Sequence, residues 1–199
     1  MTTRDDPQRV EFAALLLSGG ASTRMGRDKT QLVVQGMTLA RRTGQLVERV
    51  VDTALEVGPG SSGLAVVREE PAGTGPLAAI DAGRHALRER GHRGGALVIA
   101  CDLPLLTEEL LRFLLHYDSP ASVVPVVQGH AQPLLARWST RDLDAVADLV
   151  LAGERSLRHL VTSADVVLLE ESQWSAYASR ETFDDVDTLD DARRLGIRV

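Results

Sequence analysis

The sequence predicts a single three-layer α/β/α domain built on a mostly parallel sheet. Three observations carry this expectation. Short apolar runs alternate with longer amphipathic stretches along nearly the whole chain. The run at 96–100, ALVIA, is apolar at every position, as a central parallel strand covered on both faces has to be. The composition is 44% hydrophobic with only 4% aromatic residues, which suits Val/Leu strands and Ala-rich helices.

Each element follows in order. Residues 12–17 form an apolar run that ends at Ser18-Gly19-Gly20, the pattern of a buried strand entering a turn. Residues 38–55 carry apolar side chains near helical spacing and read as one helix, followed by Val57 and a glycine-rich break at 58–63. Residues 64–67 read as a strand. Residues 69–76, with two Gly and two Pro, read as a loop. A helix is expected over 77–90, closed by Gly91. The strand at 96–100 leads into Cys101-Asp102-Leu103-Pro104, and Thr107 with Glu108 and Glu109 reads as an N-cap with an acidic first turn. Residues 122–127 are strand-like, but Pro125 points to an edge or distorted strand. Further strands are expected at 133–138 and 166–169, and helices at 142–152 and 155–162. A last helix spans 188–195, with Gly196 as its stop. No repeat, low-complexity tract or long linker divides the chain. Residues 12–199 are therefore expected to form one domain after a disordered polar lead at 1–11.

The bulk numbers exclude several function classes. A net charge of −6 gives no general attraction for nucleic acid, so no polynucleotide partner is expected. A phosphate ligand remains compatible, because a local loop and a metal override the global sign. The one cysteine, Cys101, forms neither an internal disulfide nor a cysteine zinc cluster, and reads as a small apolar core residue. No apolar run approaches the roughly 20 residues that span a bilayer, and MTTRDDPQRV is no signal peptide. A cytoplasmic protein without a membrane partner is expected. His85, His92, His116, His130 and His159 lack metal-ligand spacing and read as surface residues. Trp138 and Trp174 read as packing residues.

Two stretches carry chemistry on their residues alone. The first is residues 17–29, LSGGASTRMGRDK. A strand delivers this chain to the carboxyl edge of the sheet, where ligands of open α/β folds bind. Gly19 and Gly20 permit backbone conformations closed to other residues and let amides approach an anion. Arg24 offers a two-pronged phosphate contact and Lys29 a point charge. The order is neither GxxxxGK[ST] nor GxGxxG. The second stretch is Asp102, placed directly after the central strand. Its carboxylate is either a hard oxygen ligand for magnesium or a cap for the following turn, and the residues alone leave both readings open.

Residues 17–29 also resemble the signature of the MobA-like nucleotidyltransferases, L-x-G-G-x-S-x-R-M-G-x-D-K, through Gly19, Gly20, Ser22, Arg24, Met25, Gly26, Asp28 and Lys29. The resemblance continues from about residue 12 to residue 195. It implies a Rossmann-like nucleotidyltransferase fold whose loop, including Leu17, Ser18, Gly19, Gly20, Ser22 and Gly26, wraps a nucleoside triphosphate. Arg24 and Lys29 would stabilise the departing pyrophosphate, and Asp102 would hold Mg²⁺. The acidic run at 183–191, FDDVDTLDD, is similar to the family's N-x-N-T-P-x-D or D-x-D-T-P-x-D. It places Asp185 and Asp187 on one side of an extended segment, with Asp187 near the metal. Leu189 stands where the family has Pro. Asp190 and Asp191 read as first-turn charges of the last helix.

Residues 73–79, GTGPLAA, match the family's G-P-L-A-G segment, which implicates Gly75 and Pro76 in nucleotide binding. Here Ala79 replaces the last Gly. The acidic residue that often precedes this motif falls at Ala72, leaving Glu69 or Glu70 as substitutes. Gln132-Pro133-Leu134 fits a family segment near the acceptor.

The resemblance implies transfer of GMP from GTP to molybdopterin or another phosphorylated acceptor, with Mg²⁺ as cofactor. Transient docking to cofactor-synthesis proteins or molybdoenzymes also follows from it. The Gly19-Gly20 pair and Asp28 favour guanine over the cytosine of the cytidylyl relatives. The alternatives are a cytidylyltransferase, another transferase of the same fold, or a nucleotide-binding protein without catalysis.

Overall fold

The structure, a computed structural model, describes residues 12–19, 32–34, 36–71, 73–186, 189–195 and 197. Its strands are β1 (Ala13–Leu17), β2 (Val33–Val34), β3 (Met37–Thr38), β4 (Ala54–Val57), β5 (Ala65–Val67), β6 (Ala96–Ala100), β7 (Ser122–Val127), β8 (His130–Ala131), β9 (Leu135–Trp138) and β10 (Val166–Leu169). The helices are α1 (Leu39–Glu48), α2 (Pro76–Glu89), α3 (Glu108–His116), α4 (Thr140–Leu151), α5 (Leu157–Ser163), α6 (Glu171–Trp174) and α7 (Leu189–Arg194). A 3₁₀ turn covers Arg180–Phe183.

One eight-stranded sheet forms the middle layer, in the order β10-β7-β9-β6-β1-β4-β5, with β8 joined to β7. β1 is buried at every position and pairs in parallel with β6 on one side and β4 on the other. β5 extends this parallel half, and β10 pairs in parallel with β7. Only β9, which is antiparallel to both β6 and β7, and the short β8 run the other way. The expected mostly parallel α/β architecture is the one observed.

Alternation along β1 divides the core between two faces. Ala13, Leu15 and Leu17 join one cluster with Leu77, Ile80, Leu87, Leu143 and Leu160, from α2, α4 and α5. Ala14 and Leu16 join the other with Leu46, Val47, Leu110, Leu114 and Trp174, from α1, α3 and α6. Both tryptophans are fully buried packing residues. A small third cluster joins Leu32, Leu39, Val186, Ala192 and Ile197, and so fastens the end of the chain near the start of α1.

Three local expectations are corrected. The helix read over 38–55 stops at Glu48, and residues 54–57 are strand β4. Apolar residues at 47, 50, 51, 54 and 55 mimic helical spacing. The unpaired edge of β1 nevertheless captures this segment, starting where Ala14 N donates to Thr53 O at 2.9 Å, and tertiary pairing overrides the pattern. Pro125 sits in an interior strand, at the point where the antiparallel partner of β7 changes from β9 to β8. Its carbonyl accepts from Gln132 N at 2.8 Å there, so the ladder bond that proline lacks falls at a break between partners. His92 is buried, with its ring nitrogen 3.0 Å from Gly95 O, rather than on the surface.

Two further contacts hold the layers. Arg137 on β9 is buried and donates to the carbonyls of Leu115, Tyr117, Ser119 and Ala121, which ties down the chain between α3 and β7. Gly83 lets α2 lie directly on the sheet, since a Cβ there would stand 2.8 Å from Leu15 Cδ2 and 2.9 Å from Val57 Cγ2. Gly83→Val is expected to destabilise the protein by about 1–3 kcal/mol through overpacking. A fall in urea midpoint at unchanged slope would show it, and an unchanged midpoint would contradict this account of the interface.

Candidate active site

Four parallel strands end together at one edge. Cys101 N donates to Leu17 O at 3.1 Å, Ser18 N to Val57 O at 3.1 Å, and Gly58 N to Val67 O at 3.0 Å. The ladder therefore stays closed to the last residue of β6, β1, β4 and β5, and the chain leaves β1 through Gly19, the first exposed residue of the loop. Leu17 and Ser18 are buried. Gly20, Ser22, Arg24, Gly26 and Lys29 lie outside the described residues.

Ser18 is committed to the protein in two ways. Its amide pairs with β4, and its hydroxyl donates to the carboxylate of Glu56 at 2.5 Å. Glu56 is fully buried on β4 and also accepts from the amides of Gly60, Ser61 and Ser62 and from the Ser62 hydroxyl. Burial pushes its carboxyl pKa up. The hydroxyls of Ser18 and Ser62 and the amides of Ser61 and Ser62 outweigh that, and the net direction is below the ordinary 4.5. Gly58 makes the close approach feasible, because a Cβ there would stand 2.2 Å from Ser18 Oγ and 2.8 Å from Gly19 N. Glu56 was missed in the sequence because its segment imitates a helix. The available signal was an acid inside an otherwise apolar run, ALEV, followed by Gly-Pro-Gly.

The loop between β5 and α2 bends back toward this edge. Glu69 Oε1 accepts from Gly73 N at 2.6 Å and lies 4.0 Å from where a Cβ on Gly19 would sit. Its other oxygen, Oε2, is buried and has no hydrogen-bond partner among the described residues. Gly73 and Gly75 both have positive φ, 78° and 112°, which explains why glycine occupies these turns. Gly75 is the N-cap of α2 and Pro76 its first residue, where a missing N–H costs nothing. Of Glu69 and Glu70, Glu69 is the one placed against Gly19.

Asp102 lies in the turn after β6, half-buried, and its carbonyl accepts from Val186 N at 3.1 Å. That bond draws residues 184–186 across the sheet edge. Val186 is buried against Leu32 and Leu39, which holds the segment in place. Its neighbour Asp185 is exposed, and Asp184 is held by Arg194 at 2.7 Å. Asp187 lies outside the described residues. Asp190 and Asp191 are in the first turn of α7, as expected. Arg42 of α1 fixes the turn from below, donating to Pro104 O at 3.1 Å and Leu106 O at 3.5 Å. On the far side of β6, Leu134 O accepts from Ala100 N at 2.8 Å, so residues 132–134 border the same edge.

Asp102 and the segment at 184–186 are thus brought together, beside Leu17, Ser18 and Gly19 and within reach of the 69–76 loop. The donor chemistry at this edge is hard carboxylate oxygen, which suits Mg²⁺ when one or two carboxylates act together with substrate phosphates. Among the described residues no group of three or more His, Cys, Asp or Glu side chains is arranged to hold a metal by itself. No helix among them is long and apolar enough to cross a membrane.

This geometry coincides with a known family. Residues 14–176 match the model of the MobA-like NTP transferase domain. The chain belongs to this family of nucleotidyltransferases. A probable molybdenum cofactor guanylyltransferase of Mycolicibacterium paratuberculosis is 33% identical over 183 residues, covering 86% of this chain and 92% of the relative. One of Mycobacterium bovis is 36% identical over 170 residues, covering 81% and 84%. Among solved structures, molybdopterin-guanine dinucleotide biosynthesis protein A of Archaeoglobus fulgidus superposes with a TM-score of 0.75 at 22% identity, covering 92% of this chain and 96% of that one. The 4-diphosphocytidyl-2C-methyl-D-erythritol synthase of Anaerococcus prevotii shares the fold, with a TM-score of 0.68 at 13% identity and coverage of 92% and 94%.

The buried carboxylate gives a pH prediction. A carboxyl whose pKa is lowered by folding stabilises the protein above its ordinary pKa, and that contribution is lost as pH falls through the lowered value. Between about pH 7 and pH 3, the urea midpoint of Glu56→Gln is expected to fall less steeply than that of the natural protein. Equal slopes would mean that Glu56 carries no such linkage.

Proposed function

We propose that this enzyme transfers GMP from GTP to molybdopterin, with Mg²⁺ as cofactor and pyrophosphate as the second product. The observation that carries the reading is the meeting of the Leu17–Gly19 exit, the Asp102 turn with residues 184–186, and the 69–76 loop at one sheet edge. The names of similar curated relatives support guanine and molybdopterin as the substrates.

In this reading the terminal phosphate of the acceptor attacks the α-phosphorus of GTP. The bond from that phosphorus to the bridging oxygen breaks, and pyrophosphate leaves with the electron pair. The nucleophile is already ionised at neutral pH, so no general base is required. Catalysis is positioning and charge neutralisation. The loop opening at Gly19 and Gly20 cradles the triphosphate, and Arg24 and Lys29 hold the β- and γ-phosphates. Asp102 with Asp187 would hold Mg²⁺, which would supply positive charge to offset the charge that develops on the leaving group. Glu69, an acceptor whose Oε2 is buried and has no partner among the described residues, suits the N–H donors of guanine. Residues 132–134 border the acceptor.

Two measurements test the reading. Calorimetric titration with GTP, CTP, ATP and UTP, each with Mg²⁺, is expected to show preference for GTP. Preference for CTP would replace the guanylyl assignment. Asp102→Asn is expected to lower kcat by about a hundredfold to a thousandfold, with a much smaller change in GTP affinity. Turnover within about threefold of the natural enzyme would remove Asp102 from catalysis.

A further inference from the structure

Glu56 is fully buried on a strand, and burying a carboxylate is costly unless it is richly hydrogen-bonded. An apolar residue would satisfy that position in a parallel strand. Its register partner on β1 is Leu16, and it lies on the face of the sheet where Leu46, Val47 and Leu64 pack. What Glu56 has instead is five donors from two places. Oε1 accepts from the Ser18 hydroxyl and from the amides of Gly60 and Ser61, both at 2.9 Å. Oε2 accepts from the Ser62 amide at 2.7 Å and from the Ser62 hydroxyl. The turn at 60–62 is itself fixed from behind by α1, where a Cβ on Gly44 would stand 2.9 Å from Ser62 O. One carboxylate therefore fastens Ser18, the buried residue directly after β1, to a rigid turn, one residue before the chain becomes the glycine loop.

We infer that Glu56 is the positioning residue of the phosphate loop: through Ser18 it fixes the direction in which Gly19 leaves the sheet toward the triphosphate. The inference rests on the reading of residues 17–29 as the triphosphate loop. Glu56 touches no substrate. It removes freedom from the root of the loop, so that less ordering is left to be done when the nucleotide arrives. The chemistry is specific to a carboxylate. A glutamine amide would place N–H against the Ser62 amide or against the donors from Ser18, Gly60 and Ser61, because only one of its two ends accepts. Ser18→Ala is the more selective change, since it removes the tether to the loop and leaves the other four bonds of Glu56 in place.

The test is calorimetric titration of MgGTP into the full-length protein, with Tm measured on the same samples. Ser18→Ala is expected to weaken MgGTP binding about tenfold while Tm moves by less than about 3 °C. Glu56→Gln is expected to weaken binding at least as much and to lower Tm. The double variant should bind no more weakly than Glu56→Gln alone, because both changes cut the same connection. Arg137→Met, which breaks the buried clamp on the carbonyls of residues 115–121, should lower Tm and leave MgGTP affinity within twofold. Unchanged affinity in Ser18→Ala, or fully additive losses in the double variant, would overturn the inference while the nucleotide reading stands. Failure of the natural protein to bind GTP, CTP, ATP or UTP would overturn the nucleotide reading itself, and the inference with it.

Discussion

β1 is buried along its length, so every peptide group along it needs a partner from a neighbouring strand. The rest of the structure follows from meeting that demand. β1 is flanked in parallel on both sides, and parallel neighbours require crossovers through helices. The helices must then cover both faces, and the strand exits must gather at one edge. The ladder holds through Leu17 and Ser18, and the chain first escapes it at Gly19. The edge that gathers Gly19 and Asp102 is thus the place where the backbone demand of the central strand ends.

Close approach between layers is the second requirement. α2 rests on the sheet through Gly83, and α1 approaches the turn after β4 through Gly44. These contacts place the N-terminus of α2, with Gly75 and Pro76, and the start of α1, with Leu39, on either side of the strand exits. The third cluster then anchors residues near the C-terminus to the start of α1, and the single bond from Val186 to Asp102 carries an acidic segment across the edge. Residues far apart in sequence meet because each is anchored to a different element at one sheet edge.

Much of this could be read in advance, and what could not has physical reasons. β6 and β10 are continuous apolar runs of strand length bounded by turn residues, and both appear at the expected positions. Thr107 caps α3 as its residue type suggests, accepting from Leu110 N at 3.3 Å. β4 was hidden because its apolar positions continue the spacing of α1, and only the vacant side of β1 decides the matter. The burial of Glu56 was hidden with it, since an acid just past the end of a supposed helix reads as a solvated surface group. Asp102 was legible from its place after a buried strand. The approach of residues 184–186 was legible only through the family resemblance, because it depends on where Val186 finds a pocket, which local sequence does not encode. Pro125 misled for the same reason, since the rule that proline sits at edges assumes a strand with one partner along its whole length.

The reversed strand β9 has a consequence for how the sheet can change. β7 turns back through Gln128 and Gly129, both at positive φ as a tight two-residue hairpin requires, then through β8 and residues 132–134 before β9 descends between β7 and β6. This excursion leaves the sheet and returns to it at the edge that holds Asp102, and its ends are already joined by neighbouring strands. Adding residues there enlarges a loop whose closure cost grows only slowly with length. The other half of that edge is formed by β1, β4 and β5 and shares none of that chain. The two halves form a fixed jaw and an adjustable one, so the shape of one wall can be retailored while the grip of the other stays the same.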